Sequence, residues 1–118
     1  MAVYLSDMSL YRVYDNCIQT SIKTYSCYLT GDQAYSEINV PANDQDKTVL
    51  VIKESSANAF VPFLTEHYGN IYVVDLRHVK MNLYDEFKDL NLTDIVFVLN
   101  NQSANNSAWY KYFYNAIV

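Results

Sequence analysis

The sequence predicts an α/β domain built on one mostly parallel sheet, and three observations carry that prediction. Thr48-Val-Leu-Val-Ile-Lys53 is a continuous β-branched run, too short for a helix and apolar on both faces, as a buried parallel strand is. Two similar runs follow, Ile71 to Leu76 and Asp94 to Asn100, each separated from the last by a stretch of helical character. Strands alternating with helices at this spacing imply right-handed crossovers. A chain of 118 residues reads as one α/β domain, 1–118, large enough to bury roughly two-thirds of its unfolded surface.

The elements follow in order. Across 6–28 the apolar residues Leu10, Val13, Tyr14, Cys17, Ile18, Ile22 and Tyr25 recur at three- and four-residue steps, which predicts a helical N-terminal segment, one long helix or two broken ones. Leu29 to Gln33 break that period. Tyr35 to Val40 alternates like a short strand before Pro41, and 42–47 is a polar turn. The β-α-β-α-β core spans 48–100. Its first helix is capped by Ser55 or Ser56, carries Ala59, Phe60, Phe63, Leu64 and His67, and ends at Tyr68-Gly69, where glycine suits a left-handed C-terminal position. Asn82 caps the second, through Leu83, Tyr84, Phe87 and Leu90. A polar loop, 101–106, leads to a tyrosine-rich C-terminal helix, 107–116. The order of the strands is not written in the sequence.

Half the residues are apolar and 18% are charged, an ordinary globular composition. The net charge is −5, with eight Lys and Arg in all. That argues against direct nucleic-acid binding, which needs clustered cations, and leaves room for a protein partner with a basic surface. Cys17 and Cys27 lack CxxC spacing and read as buried thiols, with one disulfide left open. No metal site and no cofactor motif is present. The N-terminal MAVYLSDMSLYRVYDN has no basic region leading into an apolar run, and no stretch approaches the roughly 18 to 20 apolar residues that span a bilayer. The chain is therefore expected to be soluble, without a membrane contact.

In an open parallel sheet the ligand crevice lies beyond the carboxyl ends of the strands. The residues there are Glu54, Ser55, Ser56 and Asn58, then Asp75, Arg77 and His78, then Asn100 and Asn101. A serine at a strand-to-helix turn gains from exposed backbone N–H groups that stabilise an oxyanion. Ser55 equally fits a plain helix cap, since serine is a preferred N-cap residue. Asn100 has the same two readings, oxyanion donor or loop residue. Asp75 and His78 have the Asp-x-x-His spacing of an acid and its base, so a local triad of Ser55, His78 and Asp75 is one arrangement to look for. A solvated surface histidine is the other reading of His78.

Lys53-Glu54-Ser55-Ser56-Ala57-Asn58-Ala59-Phe60-Val61-Pro62-Phe63-Leu64, then His67-Tyr68, then Ile71 to Arg77, resembles the carboxyl-terminal part of bacterial DHHW proteins, which are SGNH-hydrolase-like and related to the alginate O-acetyltransferases. The likeness continues through Leu92 to Asn100 and reaches back to Leu29-Thr30-Gly31-Asp32. It implies a three-layer, flavodoxin-like fold, with Ser55 at the family's nucleophile position and Asn58 at a neighbouring site position. It also implies an acetylated carbohydrate as substrate, with Ser56, Asn58 and Asn100 as oxyanion or binding residues. Three departures stand out. The Asp-His-His-Trp motif that supplies the family's acid and base is absent from this sequence, and Glu54 replaces the usual Asp. The family generally carries Tyr at the position of His78. The chain is thus expected to be a truncated or minimal domain related to carbohydrate O-acetyl esterases or acetyltransferases, catalytically incomplete. The alternative is a small acidic interaction or inhibitor protein, anti-CRISPR-like for instance, that uses the fold as a scaffold. Localisation stays open: cytoplasmic for a full-length chain, extracytoplasmic for a piece of a longer family member.

Overall fold

A computed structural model describes residues 1–118. Six strands form one sheet: β1 (Ala2–Tyr4), β2 (Leu10–Val13), β3 (Tyr35–Asn39), β4 (Thr48–Lys53), β5 (Asn70–Val74) and β6 (Asp94–Val98), in the order β2-β1-β3-β5-β4-β6. Only the β5-β4-β6 part is parallel. The pairings of β1 with β2, β1 with β3 and β3 with β5 are antiparallel.

The expected three-layer, flavodoxin-like, mostly parallel sandwich is therefore not what forms. The sheet is mixed, most of its pairings are antiparallel, and helices are few. Two features of the chain produce this. The crossover from β4 to β5 contains only two 3-10 stretches, Ser55–Ala57 and Val61–Glu66, the second with Pro62 in its first turn, and such turns rarely extend far. The N-terminal segment supplies one strand, β2, where a helix was expected.

That segment, 6–28, is irregular apart from β2 and one 3-10 turn, Tyr25–Cys27. Its apolar residues have helical spacing but no shared buried face, because Leu10, Val13, Ile18, Ile22 and Tyr25 are all exposed. A helical stripe forms only when one side is taken up by a core. Interspersed Ser, Thr, Asn and Asp, which hydrogen-bond locally to the backbone, also disfavour a helix. Instead the chain folds back on itself, with Gln19 N–H donating to the Cys27 carbonyl and Leu29 N–H to that of Cys17, both at 2.8 Å. Cys17 and Cys27 are free thiols, each partly buried.

Three α-helices complete the chain: α1 (Leu83–Phe87), α2 (Asn101–Ala104) and α3 (Ser107–Ile117). Each begins with an asparagine side chain accepting from a backbone N–H of the first turn: Asn82, Asn100 and Asn106. This N-cap satisfies one of the orphan donors of each helix start. The sheet has two apolar faces. On one, Leu50, Ile52 and Val74 pack against Leu83, Phe87 and Ala116 of the helices. On the other, Val49, Val51, Ile71 and Val73 lie under Leu29, Val61 and Leu64.

Gly69 does not take the left-handed conformation expected of a helix end, since Gly31 is the glycine with positive φ. It is required for a different reason: a Cβ there would meet the Asp44 carbonyl oxygen at 2.3 Å. The backbone of the 42–47 turn approaches too closely for any side chain.

Candidate functional site

Alternation along β4 sends Lys53 to the face of Val49 and Val51, and Glu54 to the face of Leu50 and Ile52. Asp75, one residue beyond β5, follows Ile71 and Val73 onto the Lys53 face. The carboxyl ends of the parallel strands thus carry two polar clusters, one on either side of the Ser55 turn.

The first cluster is buried. Lys53 is 1% exposed and Asp75 not at all. Lys53 Nζ lies 3.4 Å from Asp75 Oδ2 and 4.0 Å from Asp32 Oδ1. Arg77 grips Asp75 through Nε to Oδ1 at 2.9 Å and Nη2 to Oδ2 at 2.5 Å, and its backbone N–H adds a third bond at 3.1 Å. Burial drives the Lys53 ammonium towards its neutral form and outweighs the nearby carboxylates, so its pKa falls. Burial pushes Asp75 the other way, but the Arg77 hydrogen bonds and the Lys53 charge together hold it below the usual carboxylate range. Asp32 closes the cluster: its Oδ1 accepts from Asn58 Nδ2 at 2.9 Å, and its Oδ2 is 3.8 Å from Arg77. Asn58 is buried, and its Oδ1 has no partner.

The second cluster is Glu54 with its donors. Glu54, itself buried, caps the Ser55–Ala57 turn, its Oε1 accepting from the Ser56 backbone N–H at 3.0 Å and from the Ser56 hydroxyl. Its Oε2 faces the Ser55 hydroxyl at 3.5 Å and the Asn100 amide at 3.3 Å. Tyr25, from the irregular N-terminal segment, straps the turn from outside. Its hydroxyl contacts the Ser55 and Ser56 carbonyls at 3.0 and 2.9 Å and accepts from the Ala59 N–H.

Of the residues singled out by sequence, Ser55, Ser56 and Asn100 converge on Glu54, and Asn58 lies on the other side of the same turn. Ser55 opens the turn but does not cap it; the longer Glu54 side chain does. The three expected oxyanion or binding donors are engaged within the protein: the Ser56 N–H and Asn100 amide by Glu54, and the Asn58 amide by Asp32. Asp75 and His78 are not joined. His78 is exposed and reaches Asp75 only through its backbone N–H, 3.0 Å from the Asp75 carbonyl. Both carboxylate oxygens of Asp75 belong to Arg77 and Lys53, so no side-chain link runs from Asp75 through His78 to Ser55. Sequence reasoning missed Lys53, Asp32 and Tyr25. Two signals were available: Lys53, a lysine closing a largely apolar strand, and Asp32, which ends the Leu29-Thr30-Gly31-Asp32 segment of the family likeness.

Comparison with known proteins bears on this site. The family model described as "DHHW protein" matches residues 6–74. Comparison with curated proteins finds no match. Among solved structures, a DHHW family protein from Eubacterium siraeum DSM 15702 is 27% identical, with a TM-score of 0.84 over 99% of this chain and 40% of its own. PatB1 from Bacillus cereus is 22% identical, with a TM-score of 0.73 over 92% of this chain and 37% of its own. A second PatB1 structure, with a sulfonyl adduct, matches at 0.72 and 22% identity over 92% of this chain and 38% of its own. The chain spans about two-fifths of the length of these proteins. The PatB1 likeness is one of fold, and the 6–74 match covers both Asp32 and the Ser55 turn: the chain belongs to the DHHW family.

Proposed function

We propose that this chain is a truncated or minimal SGNH-like acyl-transfer domain in which Ser55 is the acyl-accepting nucleophile. The observation that carries the reading is the setting of Ser55: first residue of the turn after β4, at the carboxyl edge of the parallel strands, strapped by Tyr25 and facing a buried carboxylate. In the proposed reaction Ser55 Oγ attacks the carbonyl carbon of an O-acyl ester and forms an acyl-serine. Water or a sugar hydroxyl then takes the acyl group. The substrate class is an O-acetylated carbohydrate. The Lys53, Asp75, Arg77, Asp32 and Asn58 cluster holds the turn from beneath.

The test is covalent labelling with phenylmethylsulfonyl fluoride, in which the nucleophilic hydroxyl forms the sulfonate ester and releases fluoride and a proton. One adduct on Ser55, absent from Ser55→Ala, is the expected result, together with serine-dependent turnover of p-nitrophenyl acetate.

A second reading, a small acidic interaction protein, is favoured by one observation. On the helix-covered side of the sheet an apolar groove of about 360 Å³ is lined by Leu50, Ile52, Phe87, Ile95, Phe97 and Phe113, and Ile95 and Phe97 of edge strand β6 are half exposed. Exposed apolar patches of this kind mark interaction surfaces. A chain that acquires no label on Ser55 but binds a partner, and loses that partner on Phe97→Asp, would fit this reading instead.

A further inference from the structure

Tyr25 is half exposed, and its ring packs edge-on against Tyr28 with 5.5 Å between centroids. The core does not call for it, yet its hydroxyl meets backbone groups of Ser55, Ser56 and Ala59. We infer that Tyr25 is a positioning residue for Ser55, locking the two peptide planes that follow the serine. The inference rests on the reading of Ser55 as nucleophile and adds to it a residue that acts through the turn. Tyr25 bonds to backbone and not to Ser55 Oγ, and it carries no proton in the reaction.

A peptide unit is planar, so its C=O and N–H point in opposite directions and holding both fixes the plane. The Ser55–Ser56 unit is held at both: the Ser55 carbonyl accepts from the Tyr25 hydroxyl at 3.0 Å, and the Ser56 N–H donates to Glu54 Oε1 at 3.0 Å. So is the Ser56–Ala57 unit, whose carbonyl accepts from Tyr25 at 2.9 Å while the Ala57 N–H donates to the Glu54 carbonyl at 3.2 Å. The single hydroxyl hydrogen is shared between the two carbonyls, and a lone pair of the same oxygen accepts from the Ala59 N–H at 3.2 Å. Glu54 supplies the inner hold on each plane and Tyr25 the outer one. Without Tyr25 a three-residue 3-10 turn, a weakly bonded element in any protein, keeps only its inner side fixed. Rotation of the first plane then changes the Ser55 backbone and re-aims its side chain.

The approach of Tyr25 is built into its own segment. Leu29, 1% exposed, anchors that segment in the core with Val61 and Leu64. Leu29, Thr30 and Gly31 follow one another with φ of 54°, 62° and 92°. Threonine is β-branched, and for such a residue the left-handed region is costly. The corner returns the chain to the Ser55 turn from the opposite side, where Asp32 Oδ1 accepts from Asn58 Nδ2 at 2.9 Å. Tyr25 and Asp32 thus grip the turn from without and from within. Backbone strain persists where its surroundings over-determine it, and such places gather at functional sites. The chemistry at stake is alignment: attack needs the nucleophile within about 3–3.5 Å of the carbonyl carbon and correctly aimed, and a misplacement of about 1 Å costs about 100-fold in rate.

The experiment compares wild type with Tyr25→Phe, Tyr68→Phe and Ser55→Ala. Tyr25→Phe keeps the half-exposed ring and removes only the hydroxyl. Tyr68→Phe removes a hydroxyl bond of the same kind, to Asp94 at 2.8 Å, at the amino ends of the parallel strands, and so controls for a general loss of stability. Amide hydrogen exchange reads the turn itself: the Ser56 and Ala57 N–H groups should exchange at least about tenfold faster in Tyr25→Phe and at the wild-type rate in Tyr68→Phe. Phenylmethylsulfonyl fluoride labelling reads the consequence, with imidazole in the buffer so that every variant has a proton acceptor in solution. Tyr25→Phe should lower the limiting rate of Ser55 labelling at least about tenfold and leave the half-saturating reagent concentration within about twofold, while Tyr68→Phe changes neither. Unchanged exchange at Ser56 and Ala57 overturns the inference and keeps the nucleophile. Full-rate labelling in Tyr25→Phe, or a fall that Tyr68→Phe shares, does the same. An absence of any Ser55 adduct on wild type overturns the nucleophile reading and the positioning role with it.

Discussion

Strands β4 and β2 belong to the same sheet, yet they obey opposite rules. Every residue of β4 is buried, including Lys53 at 1% exposure, whereas every residue of β2 is exposed, with Leu10 at 57% and Val13 at 63%. β4 has parallel neighbours on both sides, β5 and β6, and β2 has only β1. Place in the sheet therefore decides burial, against the polarity of the side chain in both cases. A lysine is buried when carboxylates meet it there. A leucine stays exposed on an edge strand with nothing packed over it. The β4 end is also where the site forms, because only a strand held on both sides fixes Glu54 and Ser55 in place.

The largest expected effect is at the buried charge cluster. Asp75→Asn leaves Lys53 and Arg77 facing only Asp32, and removing one partner of a buried pair costs about 3–5 kcal/mol. Urea denaturation measures it; a loss below about 1 kcal/mol would mean that water enters the cluster. Next comes the contrast between the strands themselves. Ile52→Ala should cost about 2–5 kcal/mol, as large-to-small changes in a core do, while Leu10→Ala should stay within about 0.5 kcal/mol, as surface changes do. Equal losses at the two positions would erase the comparison. The smallest effect is on pH dependence. Asp75 has a folded-state pKa below its ordinary 3.8, so its contribution is fully present above that value. It is lost as the pH falls from about 3.8 through the depressed folded value. Acid unfolding followed by circular dichroism should show that loss in wild type, and Asp75→Asn should lack that part of it.

The same contrast explains what could be read from the sequence. The runs at 48–53 and 71–74 show as strands because a strand packed on both faces is apolar almost without interruption, and the run at 94–98 has the same β-branched and aromatic character although it is an edge strand with no fully buried residue. At 6–28 the spacing of Leu10, Val13, Ile18 and Ile22 imitates a helix, but the spacing of exposed residues answers to no core, so its period carried no structural information. The cap at residue 54 was missed because serine is the commoner cap, and only the Glu54 backbone conformation places its carboxylate over the turn. Ser55, Ser56 and Asn58 are legible as a group because they are neighbours in the chain. The partners that hold them are not. Asn58 and Asp32 are 26 residues apart, Lys53 and Asp75 are 22 apart, and Asn100 and Glu54 are 46 apart. No local spacing encodes these pairs, and they arise only from the order of strands in the sheet. His78 failed for the same reason: Asp-x-x-His spacing says nothing about Arg77, which takes the carboxylate first.

The measurement that tests the account most directly is peptide mapping by mass spectrometry after phenylmethylsulfonyl fluoride treatment of the folded wild-type chain. The account predicts a single sulfonyl adduct on Ser55 that disappears in Ser55→Ala. An unlabelled Ser55, or labelling spread equally over the exposed serines and tyrosines, would contradict it.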